Sequence, residues 1–452
     1  MRCRAIGCRS LWLLAVMGLL LSVPSAAMAQ AQAGVVVDAQ GVLHARIYQD
    51  PDGRLMMQRI AAAKASLNPQ VGRFSAMRMI SLNRLEKAFA ERGAVTDEMR
   101  YLAGLQRVKY VFLYPDTGDV VIAGPAEGWV TDLSGRVVGI TSGRPAVQLQ
   151  DLVVALRAYP PGQRGAGLIG CSIDPSAQGL ADMQRFLQSL RPQPTNEFAQ
   201  YVVTGLQASL GLQSVTINGV SPSTHFAQVM VEADYRMKLI GIGLEQPPVR
   251  LVSYVERANP AQVSANAMQR WYFMPDYECV RVSQDGLAME LVGDGVKLVG
   301  EDEVVLAGGV RKASSRGNMA SQGFVADFTK KYPELADRSP VYAELRNLID
   351  LAVAGAYIQQ EEFYDKANWD MEVFGDEQKY TVETYSVPKT VETACNALWK
   401  GSRLMTPVGG GVTIHARRAL ESDNRLADEN GRVAKLRNET TLKLAEGQWW
   451  WD

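Results

Sequence analysis

The densest group of charged residues in the sequence lies between Glu232 and Lys238. Apolar residues at helical spacing surround this group, so Glu232 pairs with Arg236 and Asp234 with Lys238, one turn apart and with the acid first. Two interpretations fit the spacing. The favoured one is a pair of solvated ion pairs, each worth about 0.3–0.5 kcal/mol. The other is a charged cleft wall that binds a polar ligand through Glu232, Arg236 and Lys238.

Two further carboxylates, Asp276 and Glu278, alternate with Tyr277 and Cys279. Alternation places both carboxylates on one face of a strand, where a pair could serve acid–base chemistry on a glycosidic bond. An exposed strand face explains the same spacing and is the favoured interpretation. Asp234, Asp276 and Glu278 are therefore the candidate catalytic residues if the protein is a hydrolase.

The sequence lacks the motifs typical of metal sites, serine hydrolases and dinucleotide-binding sites. His44, His225 and His415 stand far apart, and the chain has no His-Glu-x-x-His and no Cys-x-x-Cys motif, so we predict no metal site. The Gly-x-Ser-x-Gly elbow of a serine hydrolase is absent. So is the glycine fingerprint of a dinucleotide site. We therefore predict no cofactor.

A recurrent Asp-x-x-Gly pattern occurs at Asp38 and Asp132, with a weaker copy at Asp428. It could be part of a calcium loop or simple turn chemistry, in which the Asp accepts backbone hydrogen bonds and the Gly adopts a positive φ. Calcium requires a denser run of oxygen ligands than this spacing supplies. Turn chemistry is the favoured interpretation.

The hydrophobic pattern predicts mixed secondary structure without regular strand–helix alternation. Short apolar runs separated by turn residues predict hairpins, and a three-stranded meander is predicted over 277–299, with turns at Asp285-Gly286 and Gly293-Asp294-Gly295. Helical spacing is strongest over 224–240 and from Pro340 onward. The prediction is the α+β class, with antiparallel hairpins and meanders packed with amphipathic helices in two or three domains.

The N-terminus predicts export. Three arginines precede an apolar run at residues 11–23, and Ala27-Met28-Ala29 gives the small-x-small pattern of a signal peptidase site. The predicted cut lies between Ala29 and Gln30. The run is too short for a membrane anchor, which needs about twenty apolar residues, and no later run is long enough to span a bilayer. The predicted location is periplasmic or extracellular.

The mature chain of 423 residues is long enough for two or three domains. We predict a removed signal peptide at 1–29, an N-terminal α+β domain at 30–163, a central α+β domain at 164–312, and a mostly helical C-terminal domain at 313–452 that ends in strands. Its 44 basic and 48 acidic groups give a formal charge of −4. Nothing in this balance favours a nucleic-acid partner.

Three of the five cysteines remain after the predicted cleavage: Cys171, Cys279 and Cys395. In an oxidising compartment three cysteines allow one disulfide and one remaining thiol. Cys171 and Cys279 lie in the most strand-like surroundings, so they are the candidate pair.

Four segments resemble a family of exported bacterial proteins catalogued as domain of unknown function 1598. They are Ala123-Gly124-Pro125-Ala126-Glu127-Gly128-Trp129, Gly170-Cys171-Ser172-Ile173-Asp174-Pro175, Ala233-Asp234-Tyr235-Arg236-Met237-Lys238-Leu239-Ile240-Gly241 and Pro407-Val408-Gly409-Gly410-Gly411-Val412. We expect the similarity to span most of the mature chain. It implies export, but the family has no established activity and transfers no site residues.

The leading hypothesis is an exported envelope protein that binds an envelope protein or polymer without catalysis, because export is well marked and a catalytic set is not. The alternative is a hydrolase of a cell-wall or surface polymer that uses paired carboxylates in a cleft. Small-ligand carriage or chaperoning is a third hypothesis, and it requires a mostly apolar pocket.

Overall fold

The structure is a computed structural model that describes residues 32–191, 193, 195–258, 267–305, 311–313, 318–396, 408–440 and 444–452. The predicted signal peptide and its cleavage site at Ala29 and Gln30 lie outside the described residues.

The strands run in chain order from the start of the described fold to its end. They are β1 (Gln32–Val37), β2 (Val42–Tyr48), β3 (Ser75–Ser81), β4 (Tyr110–Tyr114), β5 (Asp119–Ala126), β6 (Trp129–Thr131), β7 (Val137–Gly139), β8 (Ile169–Asp174), β9 (Leu212–Asn218), β10 (Ala267–Pro275), β11 (Val280–Val282), β12 (Ala288–Leu291), β13 (Val296–Val305), β14 (Arg311–Ala313), β15 (Thr390–Glu392), β16 (Val408–Ile414), β17 (Arg425–Leu426) and β18 (Trp450–Trp451).

The α-helices fill the intervals between these strands. They are α1 (Arg54–Ser66), α2 (Pro69–Gly72), α3 (Leu82–Arg92), α4 (Asp97–Arg100), α5 (Leu149–Ala158), α6 (Ala177–Ser189), α7 (Asn196–Leu210), α8 (His225–Gly241), α9 (Tyr254–Arg257), α10 (Met319–Lys330), α11 (Tyr332–Arg338), α12 (Pro340–Gln360), α13 (Phe363–Lys366) and α14 (Arg432–Glu439).

Two large sheets form the framework of the described residues. One has nine strands in the order β1-β2-β15-β9-β8-β16-β10-β13-β14, and the other has seven in the order β17-β11-β12-β4-β5-β3-β18. Most neighbours are antiparallel; β10 with β16, β11 with β17, and β15 with β2 are parallel. Hairpins and helices mix without a repeating parallel unit, so the predicted α+β class is confirmed.

The predicted meander over 277–299 is wrong in one respect. β12 pairs with β11 and β4, whereas β13 pairs with β10 and β14. The turn between them contains Gly293 and Gly295, at φ values of 67° and 65°. These glycines carry the chain from the seven-stranded sheet to the nine-stranded one, where a simple hairpin was expected.

Both sheets draw strands from all three ranges of the predicted domain division. The range 30–163 supplies β1–β5, the range 164–312 supplies β8–β13, and the last range supplies β15–β18. The ranges therefore share their sheets, and the division at 163 and 312 stays a prediction about folding units.

The helices α8 and α12 lie in the middle of the fold. Fifteen of the seventeen residues of α8 are buried, and α12 is buried from Val341 to Ile358. α8 packs against β8, β16, α5 and α12, so no face of it is left to solvent. A helix in this position must either be apolar all round or pair its polar groups internally.

The Asp-x-x-Gly turns at Asp38 and Asp132 have the predicted geometry. Asp38 Oδ1 accepts from the backbone N–H of Gln40 and Val42, both at 2.9 Å, and Gly41 has φ 85°. Asp132 Oδ1 accepts from the N–H groups of Ser134 and Arg136 at 2.8 and 2.9 Å. These aspartates serve the turns, as the sequence indicated.

At Asp428 the pattern differs. Its Oδ1 accepts from the N–H of Val433 at 3.1 Å, across the start of α14. The third copy therefore introduces a helix and not a hairpin.

Among the described residues, no helix is long and apolar enough to cross a bilayer.

Candidate functional site

The four charged residues of α8 form the predicted pairs, but inside the protein. Lys238 Nζ lies 2.7 Å from Asp234 Oδ2, and Arg236 Nη1 lies 3.5 Å from Glu232 Oε1. None of the four residues is more than 6% exposed. The favoured interpretation of solvated pairs is therefore wrong, because α8 is covered on every side.

Arg136 extends the Glu232 pair into a larger ionic network. Its guanidinium donates to Glu232 and, at 2.8 Å, to Glu344 of α12. Burial by itself lowers the pKa of Arg136, but the two carboxylates raise it above its ordinary value. Burial raises the pKa of Glu344, which Arg136 opposes. On the other side, Arg236 donates to Glu245 at 2.7 Å.

His225, the first residue of α8, forms a largely buried pair with Asp151 of α5. His225 Nδ1 lies 2.8 Å from Asp151 Oδ2. Burial lowers the pKa of the imidazole, but the Asp151 carboxylate outweighs burial and raises it to about 9. The other ring nitrogen, Nε2, faces the side-chain amide of Gln148 at 3.5 Å.

This His–Asp pair was not predicted, because its partners lie 74 and 77 residues apart in the chain. It resembles two members of a catalytic triad, but Nε2 faces an amide where a nucleophile would be needed. Gln150 links Gln148 to Tyr385 through hydrogen bonds of 2.6 and 3.1 Å. The arrangement is a partly buried polar chain that joins α5, α8 and the segment around Tyr385 to one another.

The Asp234–Lys238 pair fastens α8 to the nine-stranded sheet. Lys238 Nζ also donates to the carbonyl oxygens of Gly410 and Ile173, at 3.3 and 3.5 Å. Burial raises the pKa of Asp234 to about 6, and the Lys238 ammonium opposes this rise. All of these contacts are internal, so the pair serves packing and presents no polar face to a ligand.

The three candidate catalytic carboxylates lie in different surroundings. Asp234 is fully buried on α8. Asp276 and Glu278 are exposed in the connection between β10 and β11, which corrects the predicted strand face and confirms the predicted exposure. Asp276 Oδ1 lies 3.6 Å from Lys297 Nζ. The structure does not bring the three together in one cleft.

The candidate disulfide between Cys171 and Cys279 is not formed. Both residues, and Cys395, are buried with free thiols. Cys171 lies on β8 in the nine-stranded sheet, and Cys279 precedes β11 in the seven-stranded sheet. Burial raises the thiol pKa of both residues, that of Cys279 to about 12. Within the described ranges, no three His, Cys, Asp or Glu residues are placed to hold a metal ion.

Two surface clefts remain as candidate binding sites. One, of about 440 Å³, lies between the end of α3, α4 and residues 447–450. The other, of about 540 Å³, lies between the seven-stranded sheet and α14, and we call it the α14 cleft. It is lined by Tyr110, Glu290, Glu429, Asn430, Arg432, Lys435, Leu436 and Glu439.

Sequence reasoning missed the α14 cleft because its wall comes from three distant parts of the chain. Tyr110 and Glu290 are brought together by the register of β4 and β12, 180 positions apart. The only local signal is on α14, where Arg432, Lys435, Leu436 and Glu439 follow helical spacing. That spacing identifies one face of a helix but not what lies opposite.

Residues 171–254 match the model of a family described as "Protein of unknown function (DUF1598)". The match confirms the resemblance over these residues, which run from β8 through α8 to the start of α9. It includes His225 and the four charged residues of α8, but the α14 cleft lies outside it. No curated protein and no solved structure matches the chain.

Proposed function

We propose that the protein is exported to the bacterial envelope, in the periplasm or outside the cell, and binds another envelope component there without catalysing a reaction. The observation that supports this most is the contrast between interior and surface. The charged residues of α8, which include the candidate binding residues and one of the three candidate catalytic residues, form ion pairs inside the fold. Two clefts that open to solvent on the described residues lie elsewhere.

A hydrolase with paired carboxylates is supported less well. Such an enzyme needs two carboxyl groups about 5–10 Å apart across a cleft that admits substrate. Asp234 is enclosed and paired with Lys238, whereas Asp276 and Glu278 stand on open surface. In the α14 cleft, Glu290 accepts hydrogen bonds from both Arg281 and Arg432, so its oxygens are already engaged.

Export is supported by the signal-peptide pattern of residues 1–29. The predicted cut lies before Gln30, and β1 begins at Gln32, so cleavage there leaves every described strand and helix intact. The test is to express the full chain in a bacterial host, separate the compartments and sequence the N-terminus of the exported protein. A chain that begins at Gln30 supports the proposal. A chain retained in the cytoplasm with its first 29 residues would contradict it.

Binding is tested with residues 30–452, immobilised and incubated with purified cell-wall polymer and, separately, with envelope protein extract. We expect saturable retention of one of them, competed by free protein and absent for heat-denatured protein. Release of reducing ends or other new termini from the polymer would favour the hydrolase. If the protein is not retained and the polymer is not cleaved, both functions are rejected.

A further inference from the structure

We propose that the α14 cleft binds a neutral carbohydrate chain. This deepens the proposed function and rests on it, because it names the envelope component as a glycan and gives it a site.

The floor of the α14 cleft belongs to the outer face of the seven-stranded sheet. The strand registers place six residues in one row across six strands: Arg281, Glu290, Tyr110, Ala123, Met79 and Trp451. Directly paired residues point to the same side of a sheet. Ile80, Val111 and Ile122, next in sequence to members of the row, belong to the main core on the opposite face.

The helix α14 covers only part of this outer face. Val433 is buried against the sheet, and Leu436 packs at the edge of the same small apolar cluster. Tyr110 is left half-buried at the cleft. Its ring stacks on Phe112, with centroids 5.6 Å apart and planes 18° apart. The aromatic surface in the cleft is therefore held in a fixed orientation, which reduces the entropy lost on binding.

Two of the polar groups around Tyr110, those of Glu290 and Arg432, are joined by an ion pair. Arg432 Nη2 donates to both oxygens of Glu290, at 2.6 and 2.5 Å, and Arg281 donates to Glu290 from the neighbouring strand. Lys435 and Glu439 project from the exposed face of α14, one helical turn apart. Donors and acceptors thus stand around one aromatic ring.

The charges of the cleft balance when the adjoining Arg281 is counted. The lining has three carboxylates, Glu290, Glu429 and Glu439, and two cations, Arg432 and Lys435. Arg281, on the neighbouring strand β11, forms an ion pair with Glu290. A strongly anionic ligand would meet the carboxylates, and a cationic one would meet the arginines and the lysine. A neutral ligand rich in hydroxyl groups can use both kinds of group, because each hydroxyl donates and accepts.

The shape of the cleft fits the same ligand class. A sugar ring presents an apolar C–H face that can lie on an aromatic side chain, while its rim of hydroxyls meets polar groups. The volume of about 540 Å³ is within the range of small-ligand sites, roughly 300–1,000 Å³. Because the cleft is open to solvent, a polymer can pass along it without burying its ends.

The experiment is isothermal titration of residues 30–452 with two neutral probes, maltohexaose and N-acetylchitohexaose, and with heparin as a polyanion. We expect a neutral probe to bind with an affinity that changes little with salt. Tyr110→Leu removes the ring and should weaken binding at least about tenfold. Tyr110→Phe keeps the ring, and Tyr201→Leu alters an exposed tyrosine on α7, so each should change the affinity by less than about twofold.

If Tyr110→Leu unfolds the protein, Lys435→Ala and Glu439→Ala provide a second test, because both residues are exposed on α14. Each should weaken binding of the neutral probe about threefold. The proposal is overturned if neither neutral probe binds at millimolar concentration, if heparin binds more tightly than both, or if Tyr201→Leu weakens binding as much as Tyr110→Leu.

The inference and the proposed function can fail separately. If purified cell-wall polymer retains wild-type protein and Tyr110→Leu equally well, the α14 cleft is not the glycan site but binding to the envelope stands. If a neutral probe binds and is cleaved, the site stands and the non-enzymatic function is wrong.

Discussion

The charged residues of α8 depend on partners at two distances along the chain. Spacing of four residues was enough to predict the pairs of Glu232 with Arg236 and of Asp234 with Lys238. It could not predict their burial, because the elements that cover α8 are β8, β16, α5 and α12. Nor could it find Arg136 and Glu344, which enter the network from positions about a hundred residues away on either side.

Replacing only one residue of the Asp234–Lys238 pair should destabilise the protein more than replacing both. Asp234→Asn leaves the Lys238 ammonium buried without its counter-charge, and we expect a loss of about 3–5 kcal/mol in the free energy of unfolding. The double variant Asp234→Asn/Lys238→Met removes both charges and should lose much less. Urea unfolding of the wild type, both single variants and the double variant measures the coupling. Losses that simply add would contradict the prediction.

His225 should make the protein less stable as the pH rises. Its pKa of about 9 in the folded state lies above the ordinary value of about 6.5. The stabilisation is therefore complete below about pH 6.5 and is lost as the pH rises through about 9, up to about 3 kcal/mol. His225→Gln has no titrating imidazole and serves as the control.

The measurement is the free energy of urea unfolding of both proteins between pH 6 and pH 9.5. We expect the wild type to lose stability relative to His225→Gln across this interval. Parallel curves for the two proteins would show that the pair with Asp151 does not hold the proton.

At the scale of elements, local signals identified the turns and the long helices but not their neighbours. The Asp-x-x-Gly turns at Asp38 and Asp132 and the helices α8 and α12 follow from short stretches of sequence. The passage of the chain from one sheet to the other at Gly293 and Gly295 could not be predicted in this way, because the same residues suit a hairpin. Pairing of β18 with β3 joins residues about 370 positions apart.

The edge formed by β18 depends on Arg78. This side chain is fully buried, donates to Asp452 at 2.8 Å and to the carbonyl oxygens of Ala103 and Val71 at 2.6 and 3.1 Å, and lies over the ring of Trp450. Its guanidinium thus joins β3 to the residue that follows β18, to α2 and to the turn at Ala103. A substitution here should loosen the edge strand.

We expect Arg78→Met to lower the free energy of unfolding by about 3–5 kcal/mol, because it leaves Asp452 and several carbonyl oxygens without their donor. Asp452→Asn should cost less, since that carboxylate is 45% exposed and can be hydrated. Urea unfolding compares the two variants, and proteolysis of the C-terminal segment reports on β18. An Arg78→Met protein as stable as Asp452→Asn would refute this role.

At the scale of the whole molecule, each of the two large sheets contains strands from all three ranges that the sequence predicted to be separate domains. The α+β class was predictable because it depends on local periodicity and on the lack of strand–helix alternation. The distribution of strands between sheets was not, because it depends on contacts between all three predicted ranges. For the same reason the α14 cleft, built from β4, β12 and α14, had no sequence signature as a site.

Because all three predicted ranges contribute strands to both large sheets, unfolding should be cooperative. Strands of the ranges 30–163, 164–312 and 313–452 pair directly with one another, so unfolding of one range removes partners from the others. We expect coincident urea transitions by tryptophan fluorescence and far-ultraviolet circular dichroism. Two separated transitions would instead support the domain division at 163 and 312.

The three thiols should be unreactive in the folded protein and free in the unfolded one. Cys171, Cys279 and Cys395 are all buried, and burial raises the pKa of each thiol, which lowers the thiolate fraction that reacts. Native residues 30–452, purified without reductant, should therefore react slowly with a thiol reagent. After denaturation in guanidinium without reductant, three thiols per chain should be labelled.

A single labelled thiol would show that a disulfide forms in the exported protein, and peptide mapping would identify the pair. Because Cys171 and Cys279 belong to different sheets, a bond between them would require the two sheets to move together, so the thiol count tests the arrangement of the whole molecule as well as the chemistry of its cysteines.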